Sequence, residues 1–307
     1  MTRRTIGALL AAALGAAGCN QAFLPDGGYD ARLVVYGVLS ASADTQYVRI
    51  GRTSTTGATI DVTDATVDII PGNGDAVVHL RDTVVMHADA SGALAPYRVY
   101  AAYRFAPKSR VAYNVTVSSA GGSTAGGTTQ GLGPADVTLV NPVDFTSAGD
   151  SLVVIASFGQ PAGAYVVHLY VDYQVTAGGS GSSGSAEVPL AASVDAAGNV
   201  SLVYPTFARV PFAVGTSTAE TVYPRELYRQ TIARIVNANP QGSVVVTATH
   251  YTLTQIDDAL YDYYYVRNGP KDTSTLRLDV PDFTNVTGGL GVIGCLQTIS
   301  HRASFTP

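Results

Sequence analysis

Cys19 is the residue whose surroundings point most directly to chemistry. It follows Ala-Ala-Gly at the end of a short apolar stretch, Ile6 to Ala17, and two basic residues, Arg3 and Arg4, precede that stretch. A positive start, an apolar middle and small residues before a single cysteine are the pattern of a bacterial lipoprotein signal. The chemistry would be cleavage before Cys19 and attachment of lipid, palmitate included, to the cysteine.

This pattern predicts a lipoprotein signal peptide at residues 1–18 and a tether at residues 19–30, which contain Gly, Pro and Asp without periodicity. The apolar stretch is too short to span a bilayer as a helix. Asn20 after the cysteine is compatible with export to the outer membrane, in either leaflet orientation. The alternative is an ordinary secretory peptide that leaves Cys19 as a thiol.

The histidines give no catalytic assignment. None of the five forms an H-E-x-x-H motif or a short pair. His168 and Asp172 are four apart in a predicted strand, so the carboxylate could orient the imidazole, but we favour a solvent-facing polar row as the explanation of the pair. No nucleophile context completes a triad. We therefore assign no catalytic residue and predict a protein that is not an enzyme.

Tyrosines are the best candidates for binding. Tyr261 and Tyr265 are four apart in a predicted helix, and Tyr251 comes shortly before them. Together they could form an aromatic surface for a glycan or a protein partner. The alternative is packing between the helices and a sheet.

The acidic residues and the composition exclude other classes. Asp257 and Asp258 fall in the first turn of a predicted helix, where the helix dipole favours negative charge. A calcium loop, a phosphate-binding loop and paired C-x-x-C motifs are absent, so we predict no metal and no cofactor. The formal charge of −5 argues against nucleic acid. Cys295 lies in an apolar run and is interpreted as a small buried hydrophobe.

These residues must be positioned by a mainly β fold, since Val, Thr and Tyr favour strands. Residues 31–119 contain seven short strands with regular turn signals, which predict an immunoglobulin-like or transthyretin-like β-sandwich. Residues 120–133 are rich in Gly, Thr and Ser and are predicted to be a linker. Residues 134–307 are predicted to form a β-rich domain with two α-helices, in which residues 177–185 are a loop at a hairpin tip.

The end of the chain carries four glycines at short spacing: Gly288, Gly289, Gly291 and Gly294. The first two permit backbone angles that other residues avoid, and the other two allow another backbone to approach. We interpret them as structural glycines that close the second domain; a ligand contact is the alternative.

This ending, from Pro281 to Gly294, resembles the close of an uncharacterised Bacteroidota lipoprotein family, domain of unknown function 4249. The opening Leu33 to Leu39, the segment Asp64 to Ile69 and the tyrosine-rich helix are also similar to that family. The resemblance implies a two-part, β-rich, surface-exposed lipoprotein, and it supplies no catalytic residues. Members often accompany TonB-dependent outer-membrane transporters.

The expected function is therefore a non-enzymatic binding or assembly accessory of a TonB-dependent outer-membrane barrel, held at the outer membrane by a lipid anchor. One alternative is a surface adhesin or structural lipoprotein. Another is a glycan-active enzyme, which would need paired carboxylates about 5–10 Å apart in a cleft.

Overall fold

The computed structural model describes residues 30–54, 59–88, 93–140, 151–211, 216–267 and 283–304. The predicted signal peptide and Cys19 lie outside these residues. Strands dominate, and two short helices are present, which confirms the predicted fold class. The helices are α1 (Arg225–Ala238) and α2 (Asp258–Tyr261), and a π-helix (Asp262–Arg267) follows α2 directly. In the described ranges, no helix combines the length and apolar character needed to cross a membrane.

A ten-stranded sheet runs through the molecule, and its strands are numbered here in chain order. In hydrogen-bonding order they are β13 (Ser180–Glu187), β12 (Ala164–Ala177), β18 (Ser243–Ile256), β19 (Gly289–Ser304), β1 (Leu33–Ser40), β2 (Thr45–Arg52), β7 (Leu94–Tyr103) and β6 (Arg81–Ala88), with β16 (Ala208–Arg209) beside β12 and β3 (Ile60–Asp61) beside β2. The pairing of β1 with β19 is parallel, and the other pairs are antiparallel.

Three smaller sheets accompany it. The four-stranded sheet has the order β5 (Val78–His79), β4 (Ala65–Pro71), β8 (Ala112–Ser119) and β9 (Thr124–Gln130). The three-stranded sheet has the order β10 (Ala135–Leu139), β11 (Ser151–Gly159) and β17 (Thr216–Pro224), and β14 (Ala191–Val194) pairs only with β15 (Val200–Val203) among the described strands.

One face of the large sheet contributes to two hydrophobic cores, and its other face contributes to a third cluster in which Ile256 packs with Leu260 and Tyr264. In the first, Val35 and Val48 of the large sheet share a core with Val67 and Val115 of the four-stranded sheet. The second core joins β12 and β18 to the three-stranded sheet and to helix α1. Because one sheet contributes to both cores, residues Arg32–Pro307 form one compact unit rather than two separate ones.

The predicted linker at residues 120–133 is wrong, because it contains strand β9, which pairs with β8 along its length. The glycines within and directly after β9 serve close packing: a Cβ on Gly127 would lie 2.6 Å from the carbonyl oxygen of Asn285. The loop predicted at residues 177–185 is likewise wrong over most of its length, since β13 pairs there with β12. In each strand a glycine stands where a side chain has no room, Gly127 in β9 and Gly184 in β13, whereas Gly122, Gly178 and Gly179 adopt positive φ beside the strands and have open space around them.

The terminal glycines lie where β19 begins, beside β1 and β9. Gly288 and Gly291 adopt positive φ angles of 74° and 113°. A Cβ on Gly288 would lie 2.4 Å from the Thr124 carbonyl oxygen, and a Cβ on Gly289 would lie 2.7 Å from that of Leu33. For Gly294 the nearest atom would be Leu260 Cγ, at 2.3 Å. These contacts with the protein itself account for the glycines without a ligand.

Candidate binding groove

The face of the large sheet that is turned away from both cores carries an apolar groove. Side chains alternate between the two faces of a strand, so Val35 of β1 enters the first core while Tyr36 and Val38 line the groove. Neighbouring strands continue this floor, with Tyr47 on β2 and Tyr97 on β7. The result is an aromatic surface on rigid, paired strands.

The π-helix and one loop residue form the wall of the groove. Tyr264 meets Tyr36 edge-on, with ring centroids 6.1 Å apart, and Phe207 lies 5.1 Å from the ring of Tyr265. Leu260 of α2 completes this side. We call the whole cavity the aromatic groove; its volume is about 360 Å³, within the range of small-molecule sites.

Asp257 fixes the wall to the rest of the fold. Its carboxylate caps α2 by accepting from the backbone N–H of Leu260 at 2.9 Å, and it also accepts from the N–H of Cys295 at 3.0 Å and from the hydroxyl of Thr129 at 2.6 Å. Burial raises the pKa of Asp257 to about 6, against the opposing effect of these hydrogen bonds. One carboxylate thus joins the wall to strands β9 and β19.

The groove has one charged end. Arg49 on β2 lies over the ring of Tyr97, with Cζ 4.3 Å from the ring centroid, and His87 on β6 lies 5.4 Å from the same ring. The residues that line the groove include no Asp or Glu. Burial raises the pKa of Tyr265, so this phenol stays neutral at neutral pH. The groove is therefore apolar with a cationic edge.

The three tyrosines predicted to form a binding surface do not come together. Tyr261 and Tyr265 do stack, with centroids 5.7 Å apart, and Tyr265 lines the groove. Tyr261 instead packs beneath Arg209. Tyr251 is buried in the second core, on the opposite face of the sheet, where it stacks on His301. Its position in β18 explains the difference, because alternate residues of that strand face opposite sides.

The suggested pairing of His168 with Asp172 is also replaced by different partners. Nδ1 of His168 lies 2.6 Å from Glu187, and Nδ1 of His250 lies 2.7 Å from Asp172. The ring of Tyr170 stacks on His250 at 4.5 Å. These two histidine–carboxylate contacts form a partly buried polar row across β13, β12 and β18.

Cys295 is fully buried, and this burial raises the pKa of its thiol to about 12. It therefore fits the interpretation of a small core residue. Across the described ranges, no cluster of three or more His, Cys, Asp or Glu side chains is arranged to hold a metal ion.

Sequence reasoning missed most of the groove. Tyr36, Tyr97, Arg49 and His87 each lie on a strand whose alternate residues enter the core or the opposite face. The available signal was an outward face that carries aromatic residues where a solvated strand would carry polar ones. That signal is weak in one strand and becomes clear only when the strands are adjacent.

Fold and groove together define a mainly β protein of packed sheets with an aromatic, ligand-sized cavity among the described residues. The chain belongs to the family described as Domain of unknown function (DUF4249), which matches residues 22–302. No curated protein matches the sequence.

Two solved structures show low overall similarity. The C-terminal globular domain of an oligosaccharyltransferase from Pyrococcus abyssi is 11% identical, with 73% of this chain and 48% of that chain covered and a TM-score of 0.25. The secreted serine protease VesC from Vibrio cholerae is 10% identical, with 62% and 46% covered and a TM-score of 0.18. The chain spans about half the length of each, and such TM-scores support no shared fold or function.

Proposed function

We propose that this protein is a non-enzymatic binding protein whose site is the aromatic groove. The observation that carries the proposal is a cavity of about 360 Å³ lined by tyrosine, phenylalanine and aliphatic side chains from paired strands and from the helical wall beside them. Exposed apolar surface of this kind is costly in water and is typical of ligand sites. The lining residues contain one histidine but no carboxylate or thiol to act with it, so binding is the chemistry this groove supports.

We further propose that the chain is an outer-membrane lipoprotein of a Bacteroidota cell envelope, anchored through lipid on Cys19. The signal pattern before Cys19 supports the anchor, and membership of the family supports an accessory role beside a TonB-dependent outer-membrane barrel. In this arrangement the tether would hold the groove near the transporter, where it would present or receive a ligand.

Filling the groove should weaken the binding of an apolar probe. Val85→Trp places a large ring in the cavity from edge strand β6, and we expect the affinity for the neutral dye N-phenyl-1-naphthylamine to fall about tenfold or more. The full chain carrying Cys19→Ala is titrated by fluorescence, so that no detergent competes with the dye. Val84→Trp is the matched control, because Val84 is 54% exposed and points to the other face of the strand. Equal dye affinities for the two variants would show that the dye binds outside the aromatic groove.

The partner is tested separately by affinity purification of the tagged wild-type protein from gently solubilised membranes, followed by mass spectrometry. We expect a TonB-dependent barrel to be recovered with the wild type and lost with Cys19→Ala. Recovery of the lipidated protein alone would reject a stable transporter complex and favour an adhesin or structural role.

A further inference from the structure

We propose that the ligand of the aromatic groove is a small organic anion, with an apolar aromatic body and a carboxylate or sulfonate group that Arg49 binds. This inference rests on the proposed function, because it names the ligand class of the same groove. It follows from the placement of Arg49 and His87 in an otherwise apolar cavity.

Arg49 is poorly satisfied by the protein. Its side chain is only 19% exposed, and its Nε is buried without a hydrogen-bond partner. Among the described residues its acidic partner is Asp61, at 3.5 Å from Nη2, and Asp61 is itself 40% exposed. A hydrogen bond of this length is at the limit for such contacts. A guanidinium presents five N–H donors, so capacity for an anion remains.

The charge of the lining is opposite to that of the whole chain. The protein carries a formal charge of −5, yet the groove residues include Arg49 and His87 and no acid. Both groups contact the ring of Tyr97, on the strand between their own strands. Because the guanidinium is partly buried, the dielectric constant around it is low, and its attraction for an anion is stronger than it would be in water.

The shape and charge of the groove predict a ligand with two parts. The apolar body would lie against Tyr36, Tyr47 and Phe207, which line the groove. The anionic group would lie at the β2 end, against the guanidinium. A neutral apolar molecule would use the first part alone and should bind more weakly.

The test compares two dyes of similar aromatic body: neutral N-phenyl-1-naphthylamine and anionic 1-anilinonaphthalene-8-sulfonate. Both are titrated against the full chain carrying Cys19→Ala. We expect the anion to bind about tenfold more tightly than the neutral dye, and Arg49→Met to remove this preference while the neutral dye still binds. Arg98→Met is the matched control, since Arg98 pairs with Asp82 from the opposite face of β7.

Each outcome has a distinct meaning. Equal affinities for the two dyes, or a preference for the anion that persists in Arg49→Met, would overturn the proposal of an anionic ligand. The proposal of an apolar binding groove would be retained. Failure of both dyes to bind would reject the groove as a small-molecule site and the anionic ligand with it. If Arg49→Met does not fold, salt titration of the unsubstituted groove decides: the anion preference must fall with ionic strength, and a salt-independent preference would overturn the proposal.

Discussion

Gly291→Ala is expected to lower the free energy of unfolding by about 4 kcal/mol or more, or to prevent folding altogether. Gly291 has φ of 113°, which L-residues rarely adopt, and a Cβ there would lie 2.0 Å from the carbonyl oxygen of Val35. The contact is with backbone, so no rotamer change relieves it. Val35 and Gly291 are register partners in the parallel pairing of β1 with β19, and the substitution pushes these strands apart.

Urea unfolding followed by tyrosine fluorescence and circular dichroism measures this effect. Gly181→Ala is the matched control, because Gly181 also lies in a strand of the same sheet but has open space around its Cβ; its free energy of unfolding should change by no more than about 0.5 kcal/mol. A wild-type midpoint for Gly291→Ala would show that β1 does not pair with β19 in this register.

The same pairing explains why the two halves of the chain were predicted as separate domains. Strand β1 is near the start of the chain and β19 near its end. The sequence of either segment alone does not indicate that the other is its pairing partner. Local patterns did predict the elements themselves: alternation over residues 111–117 indicated β8 (Ala112–Ser119), and the helical spacing after Pro224 indicated α1. Long-range pairing decided the domain organisation, and periodicity carries no information about it.

Glycine was the residue most often misread. In β9 and β13, glycine-rich segments were interpreted as linker and loop from composition, whereas Gly126 and Gly184 lie against backbone and a tyrosine ring with no room for a Cβ. The groove was missed for a related reason. Its residues come from β1, β2, β6, β7, β18, β19, α2, the π-helix and one loop, so its aromatic character appears only after these elements are placed side by side.

The second large effect concerns pH and Asp257. An unfolded aspartate has a pKa near 3.9, whereas burial raises that of Asp257 to about 6 in the folded protein. Between these values the folded state keeps a proton that the unfolded state has released. Stability therefore falls as pH rises through this window, by roughly 3 kcal/mol in total at about 1.4 kcal/mol per pKa unit. Below and above the window Asp257 adds no further pH dependence.

Asp257→Asn should remove this pH-dependent component. The amide can still accept from the N–H of Leu260 and donate to Thr129, but its NH₂ cannot accept from the N–H of Cys295, as the carboxyl group does. That unpaired buried donor costs about 1–3 kcal/mol. We therefore expect Asp257→Asn to be clearly less stable than wild type near pH 4, and the difference to shrink or reverse by pH 7, where the wild type must bury a charge.

Urea midpoints of both proteins, measured from pH 4 to pH 7.5, test this expectation through their difference, so that other titrating groups cancel. Asp258→Asn is the control for loss of a neighbouring carboxylate that is 66% exposed and pairs with Arg209; the loss of stability near pH 4 expected for Asp257→Asn should not occur there. Parallel profiles for Asp257→Asn as well would mean that Asp257 titrates like an exposed carboxylate. The link it forms between α2, β9 and β19 would then be open to water, and the wall of the groove would not be fixed in the way its hydrogen bonds indicate.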